Sequence, residues 1–190
     1  QESKKPRIFV TGHTRGIGKA IFDLYKSKNY FCYGVSKSEG LDVDKDCDAI
    51  VQQMANFKYI VLNAYAKDSQ LRMLKAIIDL YKNDEKHVAV ITSTSGTKAG
   101  MDSSLKQQEY NWYCKNKKEL IEFIEKAQQD LYDYPIQIYD VCPDTVNTDM
   151  SNGLWEEYPK LNAEEVAECV DMCFSKGYNI NKIVIQKNAK

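Results

Sequence analysis

Tyr113 and Lys117 stand four residues apart in the stretch Tyr113-Cys114-Lys115-Asn116-Lys117. On a helix that spacing puts both side chains on one face, within reach of a common ligand. The chemistry open to such a pair is proton transfer. A phenol titrates near about 10 and exchanges protons poorly at neutrality, whereas a neighbouring ammonium favours the phenolate. Lowering the phenol by about 3 units takes about 4 kcal/mol of differential stabilisation, which a close lysine in a partly dry site can supply. Tyr-x-x-x-Lys is common on helix surfaces, so its position decides. Here the pair opens a long helical stretch that follows an apolar run, Val88 to Ser93, ending in Thr92-Ser93-Thr94-Ser95-Gly96. Ser93 and Ser95 lie on the same side of an extended chain, and either can present a hydroxyl to the same ligand.

A second constellation stands near the start of the chain. Thr11-Gly12-His13-Thr14-Arg15-Gly16-Ile17-Gly18 lies between an apolar run, Arg7 to Thr11, and a helical stretch from Gly16 to Ser27. Gly12 permits a tight turn, Gly16 lets a backbone approach a pyrophosphate, and Gly18 allows close helix–strand packing. The helix beginning there aims free N–H groups and a partial positive charge at the same spot. This is a dinucleotide-binding turn in its proper context. An NAD site usually carries an acidic residue at the end of the second strand. That region reads Tyr33-Gly34-Val35-Ser36-Lys37-Ser38, with no carboxylate before Glu39. Arg15 and Lys37 can bracket a 2′-phosphate, with Ser36 and Ser38 as hydroxyl donors. The favoured cofactor is NADP(H), with NAD(H) left open.

Short apolar runs alternating with amphipathic ones must hold these groups in place. Strands are predicted at Arg7–Thr11, Tyr30–Val35, a short piece at Leu41–Val43, Tyr59–Leu62, His87–Ser93, Ile136–Val141 and Lys182–Ile185. Helices are predicted over Gly16–Ser27, Asp46–Asn56, Ser69–Tyr81, Glu109–Tyr132 and Ala163–Phe174, with Gly96–Gln108 as a loop. Strands apolar on both faces and alternating with helices imply a doubly wound parallel α/β sheet of Rossmann type. No linker or repeat divides residues 1–190, so one domain is expected, with its ligand at the carboxyl ends of the strands.

In this order the motifs resemble the short-chain dehydrogenase/reductase family, from Arg7 to about Ile185. TGxxxGxG is the family's phosphate turn, and Tyr113 to Leu120 (YCKNKKEL) looks like its YxxxKxxL pattern. Val88 to Ser93 followed by Gly96 tracks its strand-end serine, which favours Ser93 over Ser95. The interval from Ser93 to Tyr113 is longer than the family's usual one, a change that costs little in loop closure. The resemblance implies that Tyr113 exchanges the proton, Ser93 orients the substrate oxygen, and Lys117 lowers the phenol and holds the nicotinamide ribose. Leu62-Asn63-Ala64-Tyr65 resembles NNAG, so Asn63 would tie strands together beside the cofactor. Tyr65 stands in place of glycine and would narrow the adenosine side. Asp42-Val43 is similar to the pair that contacts adenine. Pro143-Asp144-Thr145-Val146-Asn147-Thr148 resembles PGxxxT, with Pro143, Val146 and Thr148 beside the nicotinamide and Asp144 in a glycine's place. Thr14 and Ile17 complete the phosphate turn. A homodimer or homotetramer through the helix of Tyr113 is also implied, its Leu120, Phe123 and Ile124 serving either a second subunit or the sheet.

The chain departs from the family in being shorter, notably between Asn63 and Ser93 and after Thr148. The family's relay asparagine has no match in Ser69–Lys82. The trimmed segment Asp149–Asn162 leaves Trp155 and Tyr158 to close over a ligand. The implied activity is NADP(H)-dependent hydride transfer on a small carbonyl or alcohol. The alternative is an NADP(H)-binding sensor or interaction module with little turnover, and a weaker one a reductase of flat quinone- or pteridine-type rings stacked on Trp155 or Tyr65. Composition narrows the partners. Lys and Arg number 26 against 27 Asp and Glu, a net charge of −1, which lacks a nucleic-acid footprint. No apolar stretch is long enough to span a membrane, and the opening residues lack the apolar run of a secretory leader. Six cysteines without a CxxC pattern fit reduced thiols in a cytoplasm. Cys169 and Cys173, four apart without a histidine nearby, give no metal site.

Overall fold

A computed structural model describes residues 4–97, 105–153 and 156–188, apart from the side chains of 105–108. The central strands are apolar throughout because both of their faces are covered. β1 (Arg7–Thr11), β3 (Tyr59–Leu62), β4 (His87–Ile91) and β5 (Gln137–Pro143) bury almost every residue. The outer strands β2 (Phe31–Val35) and β6 (Lys182–Ile185) alternate between exposed and covered positions, as sheet edges do. All pairings are parallel, in the order β2-β1-β3-β4-β5-β6.

Two apolar cores sandwich this sheet. On one face α1 (Gly16–Ser27) and α5 (Ala163–Ser175) pack over Ile8, Val10, Tyr139 and Val141. On the other, α2 (Cys47–Gln53), α3 (Ser69–Tyr81) and α4 (Leu105–Asp130) pack over Phe9, Ile60, Val88 and Ile138. The doubly wound α/β sheet expected from the sequence is therefore present. Leu120 and Ile124 are spent on the second core, so this part of the α4 stripe serves the sheet and not a second subunit. Among the described residues no helix is long and apolar enough to cross a membrane, and no group of acids, histidines and cysteines could hold a metal ion. All six cysteines are free.

Three expectations need correction. Leu41-Asp42-Val43 is a turn, not a strand. The Asp42 carboxylate accepts the Asp44 N–H (2.9 Å) and Asp46 accepts the Asp42 N–H (2.9 Å), so acidic side chains fold the backbone on itself before it can pair. β4 ends at Ile91, and a 3-10 turn over Thr94–Thr97 follows it. α4 starts at Leu105, four residues earlier than predicted, because Leu105-Lys106-Gln107-Gln108 are all good helix formers.

The chain crosses from β2 over β1 to reach β3, so the direction of winding reverses between β1 and β3. Ligands of such sheets bind at the carboxyl ends of the strands beside that reversal. Four of the groups singled out by the sequence leave the sheet on this rim: the turn after β1, Asn63 after β3, Ser93 after β4 and Asp144 after β5. Gly96 brings the β4 rim against α4. A Cβ there would stand 2.8 Å from both Ile121 Cδ1 and the Lys117 carbonyl carbon, so only a bare backbone lets the turn of Ser93 lie on the turn of Lys117.

Candidate active site

The phosphate turn is built around two contacts that exclude side chains. Gly12 has φ +73° and donates its N–H to Val35 O (2.8 Å). A Cβ on Gly18 would stand 2.0 Å from Gly12 O, so helix and turn touch backbone to backbone. The Thr11 hydroxyl accepts the N–H groups of Asn63 (3.0 Å) and Ala64 (3.1 Å), and Asn63 Nδ2 donates to Gly12 O (3.4 Å). The turn is thus stapled across β1 and β3. α1 begins after Arg15 with no side-chain cap, so its first N–H groups face the rim. Thr14 and Arg15 are exposed, while Ile17 packs into the core beneath. Thr148 closes the opposite side, its Cγ2 3.5 Å from where a Cβ of Gly16 would be.

α4 carries Tyr113 and Lys117 on the face toward the sheet, and the rim of β4 meets them. Ser93 bears on the Tyr113 phenol, pulling it downward, and its hydroxyl accepts the Ser95 N–H (3.1 Å). Ser95 instead shares a hydrogen bond with the hydroxyl of Tyr110 (3.1 Å), one turn earlier on the helix. The two serines left open by the sequence thus differ in surroundings: Ser95 is bonded to Tyr110, and Ser93 is the one that acts on the Tyr113 phenol. Thr94 donates to the Asp144 carboxylate (2.7 Å), which the missing glycine of the PGxxxT-like segment puts here. Lys117 is 3% exposed, with Nζ 5.5 Å from the centroid of the Tyr113 ring.

Burial dominates the electrostatics. It pushes the Tyr113 phenol up to about 12 against the opposing hydrogen bond from Ser93. The expectation that Lys117 holds the phenol down is not met in this structure, because burial also holds Lys117 down to about 7, well below its ordinary 10.5. A lysine depressed on folding leaves the folded chain with fewer bound protons than the unfolded one, between the folded and the unfolded value, so stability rises with pH there. Above about 9 the buried thiols and phenols, all pushed up, act in the opposite sense. The melting temperature is expected to climb between pH 7 and about 9, and to climb less in Lys117→Met. Thermal unfolding followed across that range checks it, and a flat profile in the parent chain would contradict the depressed lysine.

Sequence reasoning missed three residues that bear on Tyr113 or Lys117. Gln70, at the start of α3, accepts from Lys117 Nζ (2.7 Å). It lies four residues before Leu74 and seven before Ile77, a polar residue inside a buried stripe, which is the signal that could have found it. Tyr110 stacks on Tyr113 with centroids 6.4 Å apart, and its place three residues earlier was the available sign. Asp140 is fully buried on β5, accepting the Thr92 hydroxyl, with Lys182 Nζ at 3.6 Å. Tyr65 also needs a new location. Its ring packs edge-on to Tyr113 (4.8 Å) and lies 5.4 Å from Lys117 Nζ, with Asn116 donating to its hydroxyl (3.1 Å). It narrows the space beside the Tyr–Lys pair, and not the far, adenosine end.

At that far end Ser36 is buried and shares a hydrogen bond with Ser38 (3.0 Å). Lys37 reaches into solvent, 3.8 Å from the Asp42 carboxylate. Glu39 is turned to His13 Nε2 (3.2 Å), and Val43 is buried in the core beside α2. Pro143 ends β5 in the interior. Val146 is likewise buried and pairs with Leu161, so its side chain serves the core. Tyr158 is 61% exposed and covers no crevice, and Trp155 lies outside the described residues.

No family model matches the chain. Over 103 residues it is 31% identical to the 3-oxoacyl-[acyl-carrier-protein] reductase FabG of Haemophilus influenzae, a match covering 53% of this chain and 39% of that protein's length. Among solved structures, a short-chain dehydrogenase from Burkholderia cenocepacia in complex with NADP superposes with a TM-score of 0.79 at 14% identity, covering 97% of this chain and 89% of the other. The chain has the short-chain dehydrogenase fold. A short-chain dehydrogenase from Streptomyces avermitilis gives a TM-score of 0.77 at 12% identity, over 96% and 89% of the two chains. The resemblance drawn from the motifs is thereby borne out for the fold.

Proposed function

We propose that the chain is an NADP(H)-dependent oxidoreductase of the short-chain dehydrogenase/reductase type, acting on a small carbonyl or alcohol. The observation that carries this reading is the convergence of Ser93, Tyr113 and Lys117 on the rim that also holds the Gly12–Gly18 turn. The turn fits a dinucleotide, since its glycine backbone leaves a cradle that side chains would fill and the N–H groups of α1 face it uncapped. A nicotinamide cofactor bound there supplies the hydride, which no side chain can. Ser93 Oγ orients the substrate oxygen, and Tyr113 gives that oxygen its proton or takes it back. Lys117 has an N–H left for a ribose hydroxyl. Pushed up to about 12, the Tyr113 phenol is protonated at neutral pH in the unliganded chain, and efficient proton transfer requires that the bound cofactor's charge bring it back toward neutrality.

Arg15 and Lys37 supply the positive charge for a 2′-phosphate, and the NADP complex of the Burkholderia neighbour supports that preference. In fluorescence titrations NADPH is expected to bind at least 10-fold more tightly than NADH, and Arg15→Ala with Lys37→Ala to erase the difference. Equal affinities in the parent chain would refute the preference. One observation favours the second reading, a nucleotide-binding module with little turnover: burial pushes the Tyr113 phenol up to about 12, far from the range of an efficient acid–base catalyst. NADPH binding without hydride exchange across a panel of carbonyl substrates would select it.

A further inference from the structure

Gln70 is 4% exposed, and its amide is used on every side. Nε2 donates to Leu62 O at the end of β3 (2.9 Å) and to Ile91 O at the end of β4 (2.8 Å). Oε1 accepts from Lys117 Nζ on α4 (2.7 Å). The orientation of the amide is therefore fixed by its surroundings. Flipped, it would set an NH₂ group against the lysine and an oxygen against two carbonyl oxygens. Lys117 gives a second hydrogen bond to Ile91 O (3.0 Å). An ammonium has three N–H bonds, so two end on protein acceptors and one is left, at a nitrogen 5.4 Å from the Tyr65 centroid and 5.5 Å from the Tyr113 centroid.

Resting on the reading of Tyr113 and Lys117 as the working pair, we propose that Gln70 is the positioning residue for Lys117, anchoring its Nζ directly and without a counter-charge. A neutral anchor fixes the nitrogen in space yet leaves its proton free to come and go. A carboxylate in the same place would lock the charge on. The other titratable groups around Lys117 are few. Tyr113 is one turn back on the same helix, Tyr65 follows β3, and Asp140 and Cys142 face it from β5. Lys67 and Asp68 line the small cavity alongside. Asp140 pulls the lysine upward, but its carboxylate is shared with Thr92 and Lys182, and burial outweighs it. The lysine that results exchanges its proton close to neutrality.

The test reads Lys117 itself and needs no turnover. In full-length chain labelled with ¹³C,¹⁵N-lysine, the Lys117 signals, assigned by their loss in Lys117→Arg, are titrated by NMR. A midpoint near neutrality is expected in the parent chain, higher by about one pH unit or more in Gln70→Glu and lower in Gln70→Leu. Parent Lys117 titrating like an ordinary lysine, or either folded variant titrating with the parent, would overturn the proposal even if a variant failed to fold. A parallel NADPH titration at pH 7 separates the two readings. Gln70→Leu is expected to weaken binding about 10-fold, as for loss of a charge-assisted contact. Absence of NADPH binding by the parent chain would sink the proposed function, while the NMR result would still decide the role of Gln70.

Discussion

Tyr113→Phe is expected to cut kcat/KM for NADPH-dependent carbonyl reduction by about 10³ or more, close to the upper range of a positioned general acid. That loss corresponds to about 4 kcal/mol of transition-state stabilisation. The substitution removes one oxygen and little else. The ring keeps its edge-on contact with Tyr65 and its stack on Tyr110, so the helix face and the cofactor side of the crevice are retained. Ser93 still accepts the Ser95 N–H. NADPH affinity should therefore stay within about threefold, and melting within a few degrees, which separates lost proton transfer from lost structure. Ser95→Ala is the matching control, because its hydroxyl serves Tyr110 and not Tyr113. Turnover surviving in Tyr113→Phe, with binding intact, would mean that the proton comes from elsewhere. Tyr110 would be the first place to look, being the second phenol on the same helix face.

How far the site could be read from the sequence depends on the range of the interaction involved. The Gly12–Gly18 turn was legible because its demands are local: a positive φ and a helix that starts within four residues. The sheet was legible because burial on both faces writes itself into each strand separately. Tyr113 and Lys117 were legible as a pair because helical spacing is fixed. What was hidden is what the rim contributes from different strands. Which serine meets Tyr113 depends on how the 3-10 turn after β4 lies against α4 at Gly96, a contact 21 to 25 residues away in sequence. The family's asparagine has no counterpart along Ser69–Lys82, and the buried stripe that holds Gln70 does not show that its side chain reaches Lys117 across 47 positions. The place of Tyr65 after β3 is fixed by its chain position, but the direction of its long side chain, toward Tyr113 and Lys117, depends on α4. The missing strand at Leu41–Val43 failed for a local reason, since two aspartates turned an apolar–acidic alternation into a turn.

The largest loss of cofactor binding is expected from Gly18→Ala, a change of one methyl group. The new carbon would stand 2.0 Å from Gly12 O, 2.7 Å from Gly12 C and 2.6 Å from Asn63 Nδ2. None of these neighbours can step aside cheaply. Gly12 is held by its own hydrogen bond to Val35 O, and Asn63 is fixed through the Thr11 hydroxyl. The strain must be relieved by pushing the start of α1 off the turn, which moves its first N–H groups away from the phosphates they would bind. Overpacking of this kind costs about 1–3 kcal/mol of stability, and the loss of oriented N–H donors falls on binding in addition. NADPH affinity should drop by about 100-fold or more, with melting lowered by several degrees. Gly177→Ala controls for the added methyl, since nothing lies within 4 Å of a Cβ at that site and its backbone is not left-handed. Because Tyr113, Lys117 and Gln70 lie on other elements, the Lys117 titration should survive Gly18→Ala unchanged. A variant that bound NADPH as the parent does would show that the glycines shape the fold without holding a nucleotide.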